Sequence, residues 1–373
     1  MVRVLTANLT YKELNLLIAL QENPLATFDW LAKRIQASKS IVFSLMQKLS
    51  SRTNPYFQVV ATTNTWNLGK EIVDILIEVD KEENLRLLEK LCYYHPYTIY
   101  RARSFGDNNG LLIQFSIPMG TKEYLKALFK KLQESDILSK FTLLEFASNP
   151  VIFSTPNVDF WDPVNHKWRF NWEEWFKKKA EKISIAGPEA PSGTAKKWLK
   201  QEDLAILREV VNNARLKNLE YIDLLAKAGY SFTPQTFSRK LKRLKEKCIS
   251  GYRVYLNPNI FDLYSTVLIW GHSDPAILTS LQSKMLSHPI PFSSTFKINN
   301  DVFYWYLHLP PTHLSELLYQ LRTKLTDMRF NYIDYVRAKT YLPWPPTFDE
   351  KKKDWRSDEA FMLSDILREL KIT

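Results

Sequence analysis

Apolar positions recur with helical spacing in two matched regions of the chain. Between Thr233 and Lys247, Phe237, Leu241, Leu244 and Cys248 stand at i, i+4, i+7 and i+11 and make one stripe on a helix. Arg239, Lys240, Lys242, Arg243 and Lys245 take the rest of its circumference, and Gln235 and Thr236 lie near its start. Thr233 suits the cap, and Pro234 suits the first turn, where a missing N–H costs nothing. Upstream, Leu204, Leu207, Val210, Val211 and Ala214 predict a helix within 200–217, and 219–228 predicts a shorter one closed by Gly229. Downstream, 251–258, with Arg253, reads as a short hairpin. Helix, helix, turn, basic helix and hairpin is the winged helix-turn-helix order. Nearer the start, 10–21 and 28–36 predict two helices. A third opens at Ser38, where Val42, Met46 and Leu49 repeat the spacing of Phe237, Leu241 and Leu244. Its wing is expected at 56–66.

After each of these units the period changes. Strands are expected at 72–79, 97–105, 111–117 and 141–147, with helices at 82–94 and 121–134, which is the βαββαβ order. The order returns at 264–270, 276–287, 292–297, 302–309, 312–325 and 332–337. Landmarks agree residue by residue: His95-Pro96 with His288-Pro289, Ile117-Pro118 with Leu309-Pro310, Trp161-Asp162 with Phe348-Asp349, and Trp168-Arg169 with Trp355-Arg356. A period of about 190 residues held through four landmarks indicates an internal duplication. The expected fold class is α+β, a tandem duplication of a winged helix-turn-helix plus a ferredoxin-like βαββαβ domain. The boundaries are 1–69, 70–148, 149–197, 198–259, 260–338 and 339–373. Within 149–197 the first part is strongly aromatic and is expected to pack on a sheet or helix. The Pro-, Gly- and Ser-bearing stretch 185–195 is expected to be a flexible linker. Pro343-Trp344-Pro345-Pro346 reads as a rigid strap before a terminal helix at 358–370.

Composition narrows the class. The chain has 373 residues, 45% hydrophobic and 24% charged, which describes folded globular domains. A net charge of +11 suits a polyanion partner. Cys92 and Cys248 lie at apolar helical positions without a CxxC or Cys/His cluster, so free buried thiols are expected, and no metal site. No run of eighteen or more apolar residues predicts a membrane span, and a cytoplasmic, nucleoid-associated location is the expectation. GxGxxG, P-loop, HExxH and GxSxG motifs are absent. His95 and His288 each end a predicted helix before a proline, where the helix dipole favours a cation.

The order of elements, with the turn Ser104-Phe105-Gly106-Asp107-Asn108-Asn109-Gly110 before the third strand, resembles the Lrp/AsnC (feast/famine) transcriptional regulators, twice over. The resemblance implies an internal pseudo-dimer, able to dimerise further, that binds double-stranded DNA, responds to a small effector such as an amino acid, needs no cofactor and is not an enzyme. Its expected DNA contacts are Gln235, Thr236, Arg239, Lys240, Lys242, Arg243, Lys245 and Arg253 in the second copy, and Lys39, Ser40, Ser44, Gln47, Lys48 and Arg52 in the first. Its expected effector site is Arg101, Arg103, Gly106 and Asp107. Siroheme decarboxylases are similar to these regulators in fold order and use a cleft beside the sheet. They imply an alternative tetrapyrrole enzyme, with His95, Arg101 and Arg103 as its candidates. A third reading is an RNA-binding or scaffold protein using Phe303, Tyr304, Trp305 and Tyr306.

Overall fold

The structure is a computed structural model that describes residues 9–50, 55–144, 146, 151–181, 193–258 and 260–372. The expected linker lies mostly outside these residues. The chain begins with α1 (Tyr11–Glu22), α2 (Phe28–Arg34) and α3 (Lys39–Ser50). Thr10 and Glu13 form a reciprocal capping box at α1, and Thr27 caps α2, because each leaves a side-chain oxygen facing an unpaired N–H of the first turn. There follow β1 (Phe57–Thr63), a short α4 (Thr65–Leu68) capped by Asn64, β2 (Lys70–Glu78), α5 (Glu82–Tyr94), β3 (Thr98–Gly106), β4 (Gly110–Pro118), α6 (Lys122–Glu134) and β5 (Lys140–Leu144). Beyond the first copy come β6 (Ile152–Ser154), the hairpin β7 (Trp161–Asp162) and β8 (Lys167–Trp168), and α7 (Trp172–Lys177).

The second copy repeats the order with α8 (Gln201–Asn212), α9 (Asn218–Lys227), α10 (Pro234–Lys247), β9 (Ile249–Leu256), β10 (Ser265–His272), α11 (Pro275–Ser287), β11 (Ser293–Asn299), β12 (Val302–Leu309), α12 (Pro311–Arg322) and β13 (Asp327–Thr340). It ends with the hairpin β14 (Phe348–Asp349) and β15 (Asp354–Trp355), and a last helix, α13 (Asp365–Glu369). Thr233 caps α10 with Pro234 in its first turn, and Phe237, Leu241 and Leu244 are its buried stripe.

The two expected wings are not hairpins. β1 and β9 are single strands that pair antiparallel with each other, Phe57 opposite Leu256 and Ala61 opposite Tyr252. The offset that lays Val42 on Phe237 also lays Val59 on Val254, and these two face each other in the middle of the ribbon. The ribbon therefore sits on a local twofold relating the copies. Alternating apolar positions that would close a hairpin serve equally well to pair with a distant strand, and Phe57, Val59, Val254 and Leu256 are buried this way.

Nine strands form one sheet in the order β5-β2-β4-β3-β13-β10-β12-β11-β6. Each copy contributes the ferredoxin-like order, and the copies join where β3 pairs with β13. At the join, Gly106 has φ +130, and a Cβ there would come 2.6 Å from the Phe330 carbonyl oxygen, so glycine is required by both backbone and neighbour. One side of the sheet carries Ile75, Ile113, Phe115, Ile269, Trp305 and Leu307 under the helices. The other side carries Leu76, Ala102, Leu112, Leu144, Leu268, Trp270, Tyr304 and Ile333, residues of both copies buried in one cluster. Asp74 and Lys297 form an ion pair across that cluster.

The aromatic tails exchange places. The Trp168 indole N–H, at the end of the first copy, donates to the Phe261 carbonyl of the second at 2.7 Å, and Trp175 donates to the His288 carbonyl at 2.7 Å. Reciprocally, Trp355 donates to the Leu68 carbonyl of the first copy at 2.6 Å, and the Tyr97 hydroxyl donates to the Arg356 carbonyl at 2.7 Å. Each copy is thus closed by the other's tail. Trp168→Ala and Trp355→Ala are each expected to cost about 3–5 kcal/mol, a cavity plus an orphaned carbonyl. The check is the denaturant midpoint, and a loss below about 1 kcal/mol for both would contradict the clasp.

Candidate functional site

The two expected DNA-reading surfaces are unlike one another. On α10, Gln235, Arg239, Lys242 and Lys245 are exposed, and Thr236 is half-buried beside its cap. Lys240 is held by Asp203 and Glu202, both at 2.8 Å, and the Arg243 guanidinium stacks on Trp198 at 3.9 Å. On α3, Ser40, Ser44 and Gln47 are exposed, whereas Lys39 and Lys48 are neutralised by Asp29 and Glu13, each at 2.5 Å. The outward side of α3 carries Ile41 and Phe43, the latter against Phe28 at 5.9 Å. Arg52 lies outside the described residues.

The expected effector residues are committed to structure. Arg101 and Arg103 point to the helix layer, where Glu89 accepts from Arg101 at 2.6 Å and from Arg103 at 3.1 Å, and Glu82 also pairs with Arg103. Gly106 and Asp107 make the join between copies, the Asp107 N–H donating to the Phe330 carbonyl at 3.0 Å. No guanidinium of this set is left to take an anion. His95 is 2% exposed and packs edge-on against Phe115, and burial lowers its pKa to about 3, so it is neutral rather than a helix-end cation. Phe303 and Trp305 lie under the helices and Tyr304 is fully buried, so this strand offers no open stacking platform.

A different set of residues converges under the β1–β9 ribbon. On β9, Arg253 and Tyr255 share one side of the strand by the two-residue period. Arg253 keeps contact with solvent, yet the protein around it depresses its pKa by desolvation. Tyr255 is 38% exposed while burial raises its pKa. We read these exposed yet partly desolvated groups as the lining of a recess beneath the ribbon. Arg253 lies 5.8 Å from the ring of Phe153 on β6 and has no acidic partner among the described residues. The Tyr255 hydroxyl hydrogen-bonds to that of Tyr335 on β13. Tyr335 meets the ring of His308 edge-on at 5.2 Å, and His308 meets Tyr306 at 5.2 Å. His308 Nδ1 shares a hydrogen bond of 2.8 Å with the Thr266 hydroxyl, and the Tyr306 and Tyr100 hydroxyls are 2.9 Å apart. Burial lowers the His308 pKa to about 4, so its imidazole is neutral at pH 7.

Tyr335 is aimed here by an irregularity. Asp334 pairs with Arg103 and Lys339 with Arg101, so residues 335–338 stand opposite Ala102 alone, an enlarged bulge closed by the Arg337 N–H donating to Asp334 at 3.1 Å. Because β13, β10, β12, β11 and β6 are neighbours, Tyr335 and Phe153 stand on strands roughly 19 Å apart. Two surface grooves lie elsewhere, one between α1 and the β7–β8 hairpin (Tyr11, Asn15, Arg169) and one between α7 and α12 (Phe170, Glu173, Tyr319). Neither is lined by a histidine, whereas beneath the ribbon Tyr255, on the same side of β9 as Arg253, reaches His308 through Tyr335.

The local twofold places other residues at the counterpart positions. The register that matches Ile117-Pro118 to Leu309-Pro310 sets Ser116 at the place of His308, Gln114 at that of Tyr306 and Ile72 at that of Thr266. Gln58 and Val60 replace Arg253 and Tyr255. The first set is cationic and phenolic; at the counterpart positions there is no cation or phenol, Gln58 donating to the Asn212 carbonyl and Gln114 to Asp74.

No family model and no curated protein sequence matches the chain. Solved structures do. "Siroheme decarboxylase NirDL" matches over 96% of this chain and 99% of its own, with a TM-score of 0.54 and 13% identity. The same protein "in co-complex with iron-uroporphyrin III analogue" gives 0.52 and 12% identity over 96% and 98%. AsnC from E. coli covers 40% of this chain and 98% of its own at 0.32 and 18% identity. The chain shares the duplicated architecture throughout with the first two. The expectation of a DNA-binding transcriptional regulator that is not an enzyme is thereby overturned. The likeness that extends over both copies is to the fold of an enzyme. Among the described residues no helix is long and apolar enough to cross a membrane, and no group of acidic, histidine and cysteine side chains could hold a metal ion.

His308 generates a pH prediction. Its folded pKa, about 4, lies below the ordinary value near 6.5, so its contribution to stability is complete above about pH 6.5 and is lost as pH falls toward 4. His308→Gln should flatten that slope by up to roughly 3 kcal/mol, His95 retaining its own share. Denaturant titrations at pH 7.5, 5.5 and 4 measure it, and parallel curves for the two proteins would refute the buried neutral histidine.

Proposed function

We propose that this chain is a decarboxylase acting on a carboxylate-bearing iron tetrapyrrole held in the recess beneath the ribbon. The observation that carries the reading is Arg253, a cation without an acidic partner among the described residues, set against an aromatic wall and linked to a neutral histidine through two tyrosines. The likeness to a siroheme decarboxylase supplies the substrate class. The counterpart positions Gln58, Val60, Gln114 and Ser116 carry no cation and no phenol, which argues for one working site per chain.

The chemistry follows from the side chains. Arg253 pairs with a carboxylate of the substrate, and its partial desolvation strengthens that pairing. Phe153 and the tyrosine rings cover the face of a flat ligand. Loss of carbon dioxide breaks the bond between the carboxyl carbon and the side-chain methylene and leaves the electron pair on the methylene, which takes a proton to become methyl. No net oxidation occurs. Tyr335 and Tyr255, whose pKa values burial raises, remain protonated and supply that proton, which solvent at the mouth replaces. Neutral His308 positions Tyr335 through their ring contact.

Titration with iron-uroporphyrin III followed by absorbance, with released carbon dioxide and product mass as readouts, tests the reading. Arg253→Ala is expected to weaken binding by roughly 10- to 100-fold, the worth of a charged hydrogen bond. Gln58→Ala, at the counterpart position of Arg253, should leave it unchanged. Equal affinity of wild type and Arg253→Ala, or no spectral change with wild type, would remove the proposal.

A further inference from the structure

The interior between the sheets treats the two copies unequally. The carboxylate of Asp74 projects from β2 of the first copy and the ammonium of Lys297 from β11 of the second, their side chains 1% and 6% exposed. Gln114 donates to the second oxygen of Asp74 at 2.5 Å, and the Lys297 ammonium lies 4.8 Å from the Tyr304 ring. Asp74 is paired in register with Gln114 and Leu268 with Tyr306, so Leu268 is the counterpart of Asp74. Lys297 pairs with Tyr304 and Ala102 with Leu112, so Ala102 is the counterpart of Lys297. Leu268 and Ala102 are both fully buried in the apolar cluster. One interface is built twice, once ionic and once apolar.

The consequence appears when a copy is paired with itself. Two first copies would bury each Asp74 against an alanine at position 102, and two second copies would bury each Lys297 against a leucine at position 268. Both arrangements leave buried charges without counter-ions, which is far more costly than a complete pair or none. Pairing unlike copies leaves no such charge. We propose that the Asp74–Lys297 pair is a pairing code, by which the inner face of the first copy accepts the second copy and rejects its own duplicate. This role is independent of the chemistry in the recess. It directs assembly toward the arrangement in which Tyr100 of one copy meets Tyr306 of the other.

A protease site placed within 182–192 of the full chain allows the folded protein to be cut, unfolded and refolded as an equimolar mixture. Native mass spectrometry then counts unlike and like pairs. Wild-type fragments should return as one-to-one unlike pairs, with like pairs below roughly one in a hundred. Asp74→Lys combined with Lys297→Asp should preserve that distribution. Asp74→Leu combined with Lys297→Ala, the residues already used at the corresponding positions, should let like pairs rise at least tenfold. Abundant like pairs in wild type, or an unchanged distribution in the Leu/Ala protein, would overturn the code. If cut fragments do not refold, the uncut chain decides. Each single change should lower the folded-to-unfolded ratio by roughly a hundredfold or more, and the double change by less than their product. Independent, multiplicative losses would refute it.

Discussion

The structure depends on burying the inner side of one sheet against that of its duplicate. A four-stranded ferredoxin-like sheet covered by helices on one side leaves an apolar side bare, and Leu76, Leu112, Leu268 and Trp270 would face water in an isolated copy. Duplication within one chain answers that need by supplying the covering layer from the same polypeptide. The β3–β13 join, the β1–β9 ribbon and the exchanged tryptophan tails all follow from it, since each brings backbone groups of one copy to those of the other. The indoles matter because a buried carbonyl at Leu68 or Phe261 requires a donor, and the opposite tail provides it.

Once the copies are bound in this way, equivalent positions are free to diverge. The twofold relates two sets of positions, yet only one holds Arg253, Tyr255, Tyr306 and His308, while Gln58, Val60, Gln114 and Ser116 occupy the other. In the same manner the ionic contact of Asp74 with Lys297 has an apolar counterpart in Leu268 and Ala102. Charge is concentrated at one copy of each duplicated place. A low-dielectric interior makes such placement consequential, because a buried charge is tolerable only with its partner or with a ligand that serves as one. Lys297 has its partner in the chain; Arg253, still in contact with solvent, has no acidic partner among the described residues.

Local pattern carried much of the architecture. The stripes Phe237, Leu241, Leu244 and Val42, Met46, Leu49, the caps at Thr27 and Thr233, and the repeated βαββαβ order all rest on neighbours within a few residues or on the repeat itself. The candidate site was less legible. Arg253 stood among the expected DNA contacts because it follows a basic helix, and Arg101 and Arg103 looked available because their partners Glu82 and Glu89 lie on a helix more than a turn of chain away. The two-residue spacing of Arg253 with Tyr255 and of Tyr306 with His308 was a usable signal. It says that each pair shares a side of its strand, but not that the two sides face each other.

The sequence by itself determined the duplication, the helices and strands of each copy, and the sidedness of each element, because these depend on backbone propensity and periodicity within one segment. Only the tertiary structure decided which strand each apolar alternation would pair with, turning two expected wings into one shared ribbon. It also decided which charges would be neutralised and which left facing a recess. Those outcomes depend on pairings between residues nearly two hundred positions apart, and local pattern is the same whether such a strand folds back on itself or crosses to its duplicate.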